Sequence, residues 1–221
     1  MFPIQEFADD KFLFFVTRQG IAKRIVLSDL QNIRRAGLRA LNLNEDDALV
    51  DVRLTDGEQN ILIATHEGKA ICFDENEVRA MGRVATGVRG IKLAEGARVA
   101  AFNVVPAGKV AWTYEEGENG LTSGSGAVVL TVAGDSDALP GTENGAAKVT
   151  PLEMYPTKGR ATGGVRSQRF LKGQNTLILA WVGLYPLHAS TSAGSPVELP
   201  KPDMRRDGSG VDLASPIAFI A

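Results

Sequence analysis

Apolar and β-branched residues come in short runs, Phe12-Leu13-Phe14-Phe15-Val16-Thr17, Ile61-Leu62-Ile63-Ala64-Thr65 and Ala127-Val128-Val129-Leu130-Thr131-Val132, each cut off within a few positions by Gly, Asn, Asp or Pro. Side chains branched at Cβ or carrying a ring fit the pleated, half-buried surface of a sheet, and no long stretch spaces its apolar residues as a helix face would. The pattern predicts strands throughout. Thr17-Arg18-Gln19-Gly20 and Thr65-His66-Glu67-Gly68 read as tight hairpin tips in which glycine takes the positive φ that other residues resist. Asp51-Val52-Arg53-Leu54 and Ala180-Trp181-Val182 read as further strands that close each unit.

The runs belong to a repeat. Gly82-Arg83-Val84-Ala85-Thr86-Gly87-Val88 returns as Gly159-Arg160-Ala161-Thr162-Gly163-Gly164-Val165, and each copy follows a strand, a glycine and a second short strand. Two weaker copies complete the series, Arg34-Arg35-Ala36-Gly37-Leu38-Arg39 and Arg205-Arg206-Asp207-Gly208-Ser209-Gly210-Val211. The tip glycines Gly20 and Gly68 are 48 positions apart, and Gly145 and Gly194 are 49 apart. The 77 positions between Gly68 and Gly145 leave room for a longer connection and an extra loop from Ala133 to Pro140. A period near 50 suits a blade of about four strands, since propeller repeats run to roughly 40–50 residues. The expected fold is all-β and propeller-like, one domain over residues 1–221 with repeats at about 11–57, 58–106, 109–173 and 174–221.

With 221 residues, 44% of them hydrophobic, the chain can bury a sizeable core. A formal charge of −2 does not advertise a nucleic-acid partner, so any basic site must be local. The single cysteine, Cys72, can form no internal disulfide, and neither a long apolar stretch nor a signal peptide is present; the expectation is a cytoplasmic protein away from membranes.

The charges are not evenly spread. Asp46-Asp47, Asp74-Glu75, Glu77, Glu115-Glu116 and Asp135 to Asp137 fall between repeats or in the extra loop. Lys23-Arg24, Arg34-Arg35, Arg39, Arg79, Arg83, Arg89, Lys92, Lys148, Lys158, Arg160, Arg166, Arg169, Lys172 and Arg205-Arg206 instead follow a hairpin tip or border a Gly-Val core. Rotating one unit about an axis returns equivalent positions to similar height, so the recurrence predicts a basic belt. Glycines there would let backbone N–H groups approach phosphates while the arginines supply charge. Equally, the glycines could make bends alone and the arginines a solvated face.

Phe14 to Leu93 resembles the C-terminal domain of the DNA gyrase A subunit, through Thr17-Arg18-Gln19-Gly20-Ile21-Ala22-Lys23-Arg24, Asn32 to Leu38, Leu41-Asn42-Leu43-Asn44-Glu45-Asp46-Asp47, Val52 to Gly57 and Arg79-Ala80-Met81-Gly82-Arg83. The resemblance thins through Lys148 to Leu152 and Tyr155 to Arg160 and fades after Gln174, where the tail is closer in style to the A subunit of a topoisomerase IV or gyrase-like enzyme. It implies a β-pinwheel, a disc whose blades exchange strands, with a basic edge around which duplex DNA bends. It also implies as partners the remainder of a type IIA topoisomerase A subunit and its ATPase B subunit, with no cofactor in this chain. Two departures stand out. The family's Gln-Arg-Arg-Gly-Gly-Arg-Gly box is missing, and about four blades are legible where a gyrase disc has six. Either further blades lie outside this sequence or the disc is of a smaller, topoisomerase IV type.

Catalytic chemistry finds little footing. His66 lies at a hairpin tip and His188 on a strand, and with one cysteine a three- or four-ligand zinc set is not at hand. Ser123-Gly124-Ser125-Gly126 and Gly208-Ser209-Gly210 read as turns rather than nucleophile elbows, and Thr157 to Gly164 lacks the Gly-Lys-Ser/Thr ending of a phosphate loop. Trp112 and Trp181 read as core or blade-interface fillers. Two functional classes remain, a non-catalytic DNA-bending module and a propeller-like scaffold that binds a protein or small ligand on its face; recurring cations at one height favour the first.

Overall fold

The computed structural model describes residues 4, 6–32, 37–116, 122–139 and 141–221. Arg34 and Arg35 lie outside them. The first sheet holds β1 (Phe12–Thr17), β2 (Ile21–Val26), β3 (Leu49–Thr55) and β6 (Val88–Arg89), in the order β3-β1-β2-β6. The second holds β4 (Gln59–Thr65), β5 (Lys69–Asp74), β7 (Val99–Pro106) and β12 (Val165–Arg166), in the order β12-β5-β4-β7. The third holds β10 (Ala127–Gly134), β11 (Ala146–Pro151), β13 (Thr176–Leu184) and β16 (Val211–Asp212), in the order β13-β10-β11-β16. The fourth is a three-stranded sheet of β14 (Ala189–Ser190), β15 (Pro196–Val197) and β17 (Phe219–Ile220), in the order β15-β14-β17. This is the all-β, propeller-like pinwheel expected from the runs and the repeat.

Each of the first three blades borrows a strand from the unit after it. The Gly-Val core of the second unit supplies β6 to the first sheet, pairing Ala22 with Val88 and Ile21 with Arg89. The next core gives β12 to the second sheet in the same register, Ala70 with Val165 and Lys69 with Arg166, and the last gives β16 to the third, Ala147 with Val211. The repeated core therefore fastens a blade to the one before it. β13 belongs with β10 and β11, so the third blade runs on to Leu184, beyond the boundary read at residue 173. The long Gly68–Gly145 spacing is filled by an additional hairpin, β8 (Thr113–Glu116) with β9 (Thr122–Ser125), and by the loop before Gly145. Thr122–Ser125 is thus strand where the Ser-Gly alternation suggested a turn.

Strand alternation explains the packing. Phe14 and Val16 of the first blade meet Ile61, Ile63 and Phe102 of the second, whereas Leu62 and Ala64 turn the other way onto Ala127, Val129 and Ala180 of the third. Val128, Leu130 and Val132 then meet Ala189 and Val197 of the fourth. Both faces of an interior blade are buried, which is why its strands read as continuous apolar runs. Leu13 and Phe15, on the free face of the first blade, are covered by residues Ile4, Phe7, Leu38, Ala40 and Leu41. β7 touches β3 on one side and β13 on the other. These strands form the inner edge of the disc, and the borrowed strands β6, β12 and β16, at the opposite edge of the first three sheets, form its rim.

Glycine is required at the borrowed strand. A Cβ on Gly87 would stand 2.7 Å from the Ala22 carbonyl oxygen, and one on Gly164 would stand 2.6 Å from that of Ala70. Both also have positive φ, +109° and +70°. Gly87→Val or Gly164→Val should lower unfolding stability in urea by about 2–4 kcal/mol, from backbone strain plus the clash. Gly96→Ala, with φ +74° but nothing within 4 Å, should cost only about 1–2 kcal/mol. Equal losses at the two kinds of site would show that close approach is not the reason for the glycine.

Candidate nucleic-acid interface

The cores that lend their strands also carry cations to the rim. Arg89 ends β6 and Arg166 ends β12, both exposed and in matching register. Arg39, Arg79, Arg83, Lys92, Lys158, Arg169 and Arg205 are exposed as well, and Arg160 and Arg206 are half-buried. Lys69, which was not in the sequence-derived set, stands directly across from Arg166 on β5. Its signal was available, because it directly follows a hairpin-tip glycine. Like charges held side by side on a pleated edge repel each other, and a bound anion relieves that repulsion.

The core arginines have a second task. Arg160 donates through Nε to the Glu77 carbonyl at 2.9 Å and through Nη1 to the Arg89 carbonyl at 3.0 Å. Arg206, four residues before Gly210 as Arg160 is before Gly164, donates through Nη1 to the Arg166 carbonyl. Each staples its core to the strand lent by the core before. Arg83 holds the same place in its unit, but its guanidinium has no hydrogen bond among the described residues. Its carbonyl instead accepts from Lys23 Nζ at 2.6 Å. Arg205 is held by Asp203, with Nε 3.2 Å from Oδ1.

Three of the sequence-derived cations are not on the rim at all. Lys23 is fully buried, and its ammonium donates to the Ala40 and Arg83 carbonyls, bonds that tie the neighbouring core loop to β2. Burial lowers its pKa. Arg24 is buried against Glu75 at 3.3 Å and lies over the Phe12 ring, 4.2 Å from its centre. Lys148 is 2% exposed and donates to Thr150 Oγ1. Burial pulls its pKa down to about 8, against the opposing pull of Asp203. Glu75, expected in a solvated acidic loop, is likewise buried, and accepts from the Gln59 N–H at 2.9 Å. Position after a hairpin tip selects for cations but does not say which side of the strand they leave from; Arg24, paired with Phe14, points to the second blade, while Lys23, paired with Phe15, points to the opposite face beneath residues 38–41.

Elsewhere the side chains are structural. His66 Nδ1 sits 3.1 Å from Thr176 Oγ1 and 3.2 Å from the Leu177 carbonyl, and its pKa is lowered by burial and by Arg98. Among the described residues no three His, Cys, Asp or Glu side chains gather as metal ligands. Trp112 packs on Tyr114 and edge-on to Tyr185, and Trp181 fills the space between the third and fourth blades. Among the described residues no helix is long and apolar enough to cross a membrane.

Comparison with known proteins agrees with this geometry. A family model described as the DNA gyrase C-terminal domain, β-propeller, matches residues 11–56, 59–106 and 141–178, more than half of the chain. The DNA gyrase A subunit of Haemophilus influenzae is 36% identical over 179 residues, covering 80% of this chain and 20% of that protein. That of Staphylococcus aureus is 33% identical over 203 residues, covering 91% and 20%. The chain spans about one fifth of the length of these relatives. A crystal structure of the C-terminal domain of DNA topoisomerase IV shares the fold with a TM-score of 0.76 at 24% identity, over all of this chain and 64% of that one. A DNA gyrase A C-terminal domain does so with a TM-score of 0.69 at 18% identity, over 98% and 67%.

Lys148 makes stability depend on pH. The unfolded chain's lysine titrates near 10.5 and the folded one near 8, so between those values the unfolded state binds more protons and stability rises with pH. Urea unfolding of wild type and Lys148→Met at a series of pH values should give a difference that grows in favour of wild type from about pH 8 to 10.5, by about 1–3 kcal/mol. Cys72, pushed up to about 11 by burial, acts in the opposite sense but is common to both proteins. A flat difference would place the Lys148 ammonium in water.

Proposed function

Because this chain belongs to the DNA gyrase C-terminal domain family of β-propellers, we propose that it is the non-catalytic, DNA-bending module of the A subunit of a bacterial type II topoisomerase. It binds duplex DNA along its rim and presents it to the strand-passage part of the enzyme, which works with an ATPase B subunit. It acts in the cytoplasm on chromosomal DNA and needs no cofactor of its own. One observation carries this reading. Exposed arginines recur at one place on successive borrowed strands, Arg89 and Arg166, flanked by Arg83, Lys92, Lys158 and Arg169, in a chain whose formal charge is −2. A scaffold that binds on its face has no reason to repeat cations at its edge.

The elements that carry these cations are edge strands and turns, with no helix to enter a major groove, so the contacts are with phosphates and carry little sequence preference. Bending 20–30 base pairs costs on the order of 1–6 kcal/mol, and a row of cations along a curved rim offsets it step by step. Without the seven-residue box that the gyrase resemblance leads one to expect, the disc bends DNA and does not hold a full positive turn.

A gel-shift titration with a duplex of tens of base pairs should give a log-log salt slope of about −4 to −7, for about four to eight phosphate contacts. A flat salt response, or a strong preference for one sequence at equal length, contradicts the proposal. Arg83→Ala should weaken binding while changing unfolding stability by no more than about 0.5 kcal/mol. Arg160→Ala should weaken binding and also destabilise, by about 1–3 kcal/mol for two lost charge-assisted bonds. Nicked circular plasmid ligated at saturating protein should show no clear gain in linking number; a ladder displaced toward positive values would mean that another basic turn replaces the box.

A further inference from the structure

The loops that lead into the three borrowed strands present three different tips. Before β12, Arg160 is pinned to the Glu77 and Arg89 carbonyls, and Ala161 after it is half-buried with its N–H on the Gly90 carbonyl at 2.7 Å. Before β16, Arg206 is held by the Arg166 carbonyl and is followed by an exposed carboxylate, Asp207. Before β6, the guanidinium of Arg83 is exposed and has no hydrogen bond among the described residues, and the next residue, Val84, is 85% exposed. No other large apolar side chain among the described residues is as bare.

A single exposed valine is ordinary on a protein surface. This one sits on a turn clamped at three successive carbonyls. Gly82 accepts from the Ala85 N–H at 3.2 Å, Arg83 from Lys23 Nζ at 2.6 Å and Val84 from Asn42 Nδ2 at 2.8 Å. Lys23, from inside the blade, takes over the holding task that Arg160 and Arg206 perform at the other joints, and so leaves the Arg83 guanidinium free. The same ammonium holds the Ala40 carbonyl, so exposed Arg39 is carried alongside the turn. A clamped turn that presents one free arginine and one bare valine loses little backbone freedom when a partner closes over it.

We propose that this turn enters the minor groove of the duplex, Arg83 reaching into the groove and Val84 resting against its sugar wall, so that the first joint fixes the rotational setting of DNA on the disc. The inference rests on the DNA-binding reading above. A phosphate would engage the arginine and leave the valine in water; the groove takes both. A minor groove about 6 Å wide admits a single turn, whereas the major groove, about 12 Å wide, suits a helix or a two-stranded ribbon. A duplex bent around a rim is compressed where its minor groove faces inward. A narrow minor groove carries enhanced negative potential, and it is there that arginines insert into wrapped DNA. Arg160 and Arg206 are pinned and Asp207 would be repelled, so the other joints keep to phosphates. A duplex can shift by a few base pairs to bring an A·T step to Arg83, so the contact sets phase and adds little preference among natural sequences.

Gel-shift competition between duplexes of one length tests it. Replacing adenine by 2,6-diaminopurine adds to the minor groove the amino group that guanine has there, and leaves the phosphates and the major-groove edge as they were; 5-methylcytosine alters only the major groove. Wild type should bind the diaminopurine duplex about three- to tenfold more weakly than the adenine duplex, and the methylcytosine duplex equally well. Arg83→Ala and Val84→Ser, with urea unfolding midpoints matching the wild type, should bind the adenine duplex more weakly and lose the difference between adenine and diaminopurine. Arg169→Ala, at a phosphate contact, should weaken both duplexes alike and keep that difference. Equal binding of the two duplexes by wild type, with a steep salt slope, overturns the inference and leaves the DNA-binding reading standing. So does a diaminopurine penalty that survives in both variants, because the groove is then sensed through bending stiffness or by another residue. Absence of duplex binding at any salt overturns both.

Discussion

Everything in this molecule hangs on a short antiparallel loan of backbone, two residues of one unit paired to the second strand of the unit before. The joint needs a tip glycine whose carbonyl is open to the incoming N–H and a core glycine thin enough to lie against the acceptor strand, as Gly20 and Gly87 do at the first joint. An unmade bond at that depth would leave a buried carbonyl without a partner, which costs more than the bond itself contributes. The pairing therefore fixes where each core runs and how each blade is turned.

With that joint set, the rest of the packing follows. An interior blade must be apolar on both faces, and the alternation of its strands divides the residues between two neighbours. Side chains long enough to cross the gap reinforce the joint: Lys23 reaches the Arg83 carbonyl, Arg160 that of Arg89 and Arg206 that of Arg166. Arg24 and Glu75 form a buried pair between the first two blades, with Phe12 beneath the guanidinium. Breaking one partner of such a pair leaves a charge in a poor medium, so these residues are held by their surroundings as firmly as the apolar ones.

The same joint organises the surface. A borrowed strand is by construction the outermost of its sheet, so whatever follows its valine is placed on the rim, and in two successive units that residue is an arginine. In the third borrowed strand the residue after the valine is the exposed Asp212, so the cations of this edge lie at the first two joints. The arrangement suits a partner that is long, stiff and uniformly charged along its length, and the rim itself needs no pocket to orient such a partner.

Much of this was legible in the residues. β-Branched runs cut by glycine specify strands, the near-50-residue period specifies blades, and recurrence of Gly-Arg-x-x-x-Gly-Val marks the element that matters, because each of these is a local rule of backbone and side-chain geometry. The apolar runs could not say which blade each face would meet, nor that the Gly-Val element pairs with the preceding hairpin instead of its own; those are contacts between residues far apart in the chain, such as Ala22 with Val88 and Ala70 with Val165. Nor could charge alone separate Arg83 from Lys23. Both follow a glycine within a few residues, but β2 is an inner strand with neighbours on both sides, and a lysine there must find carbonyls, while the core loop after Gly82 faces water. The sequence by itself determined the elements and their period; only the tertiary structure, by deciding which strand edge is shared and which is exposed, decided which cations hold the disc together and which are free to meet a partner.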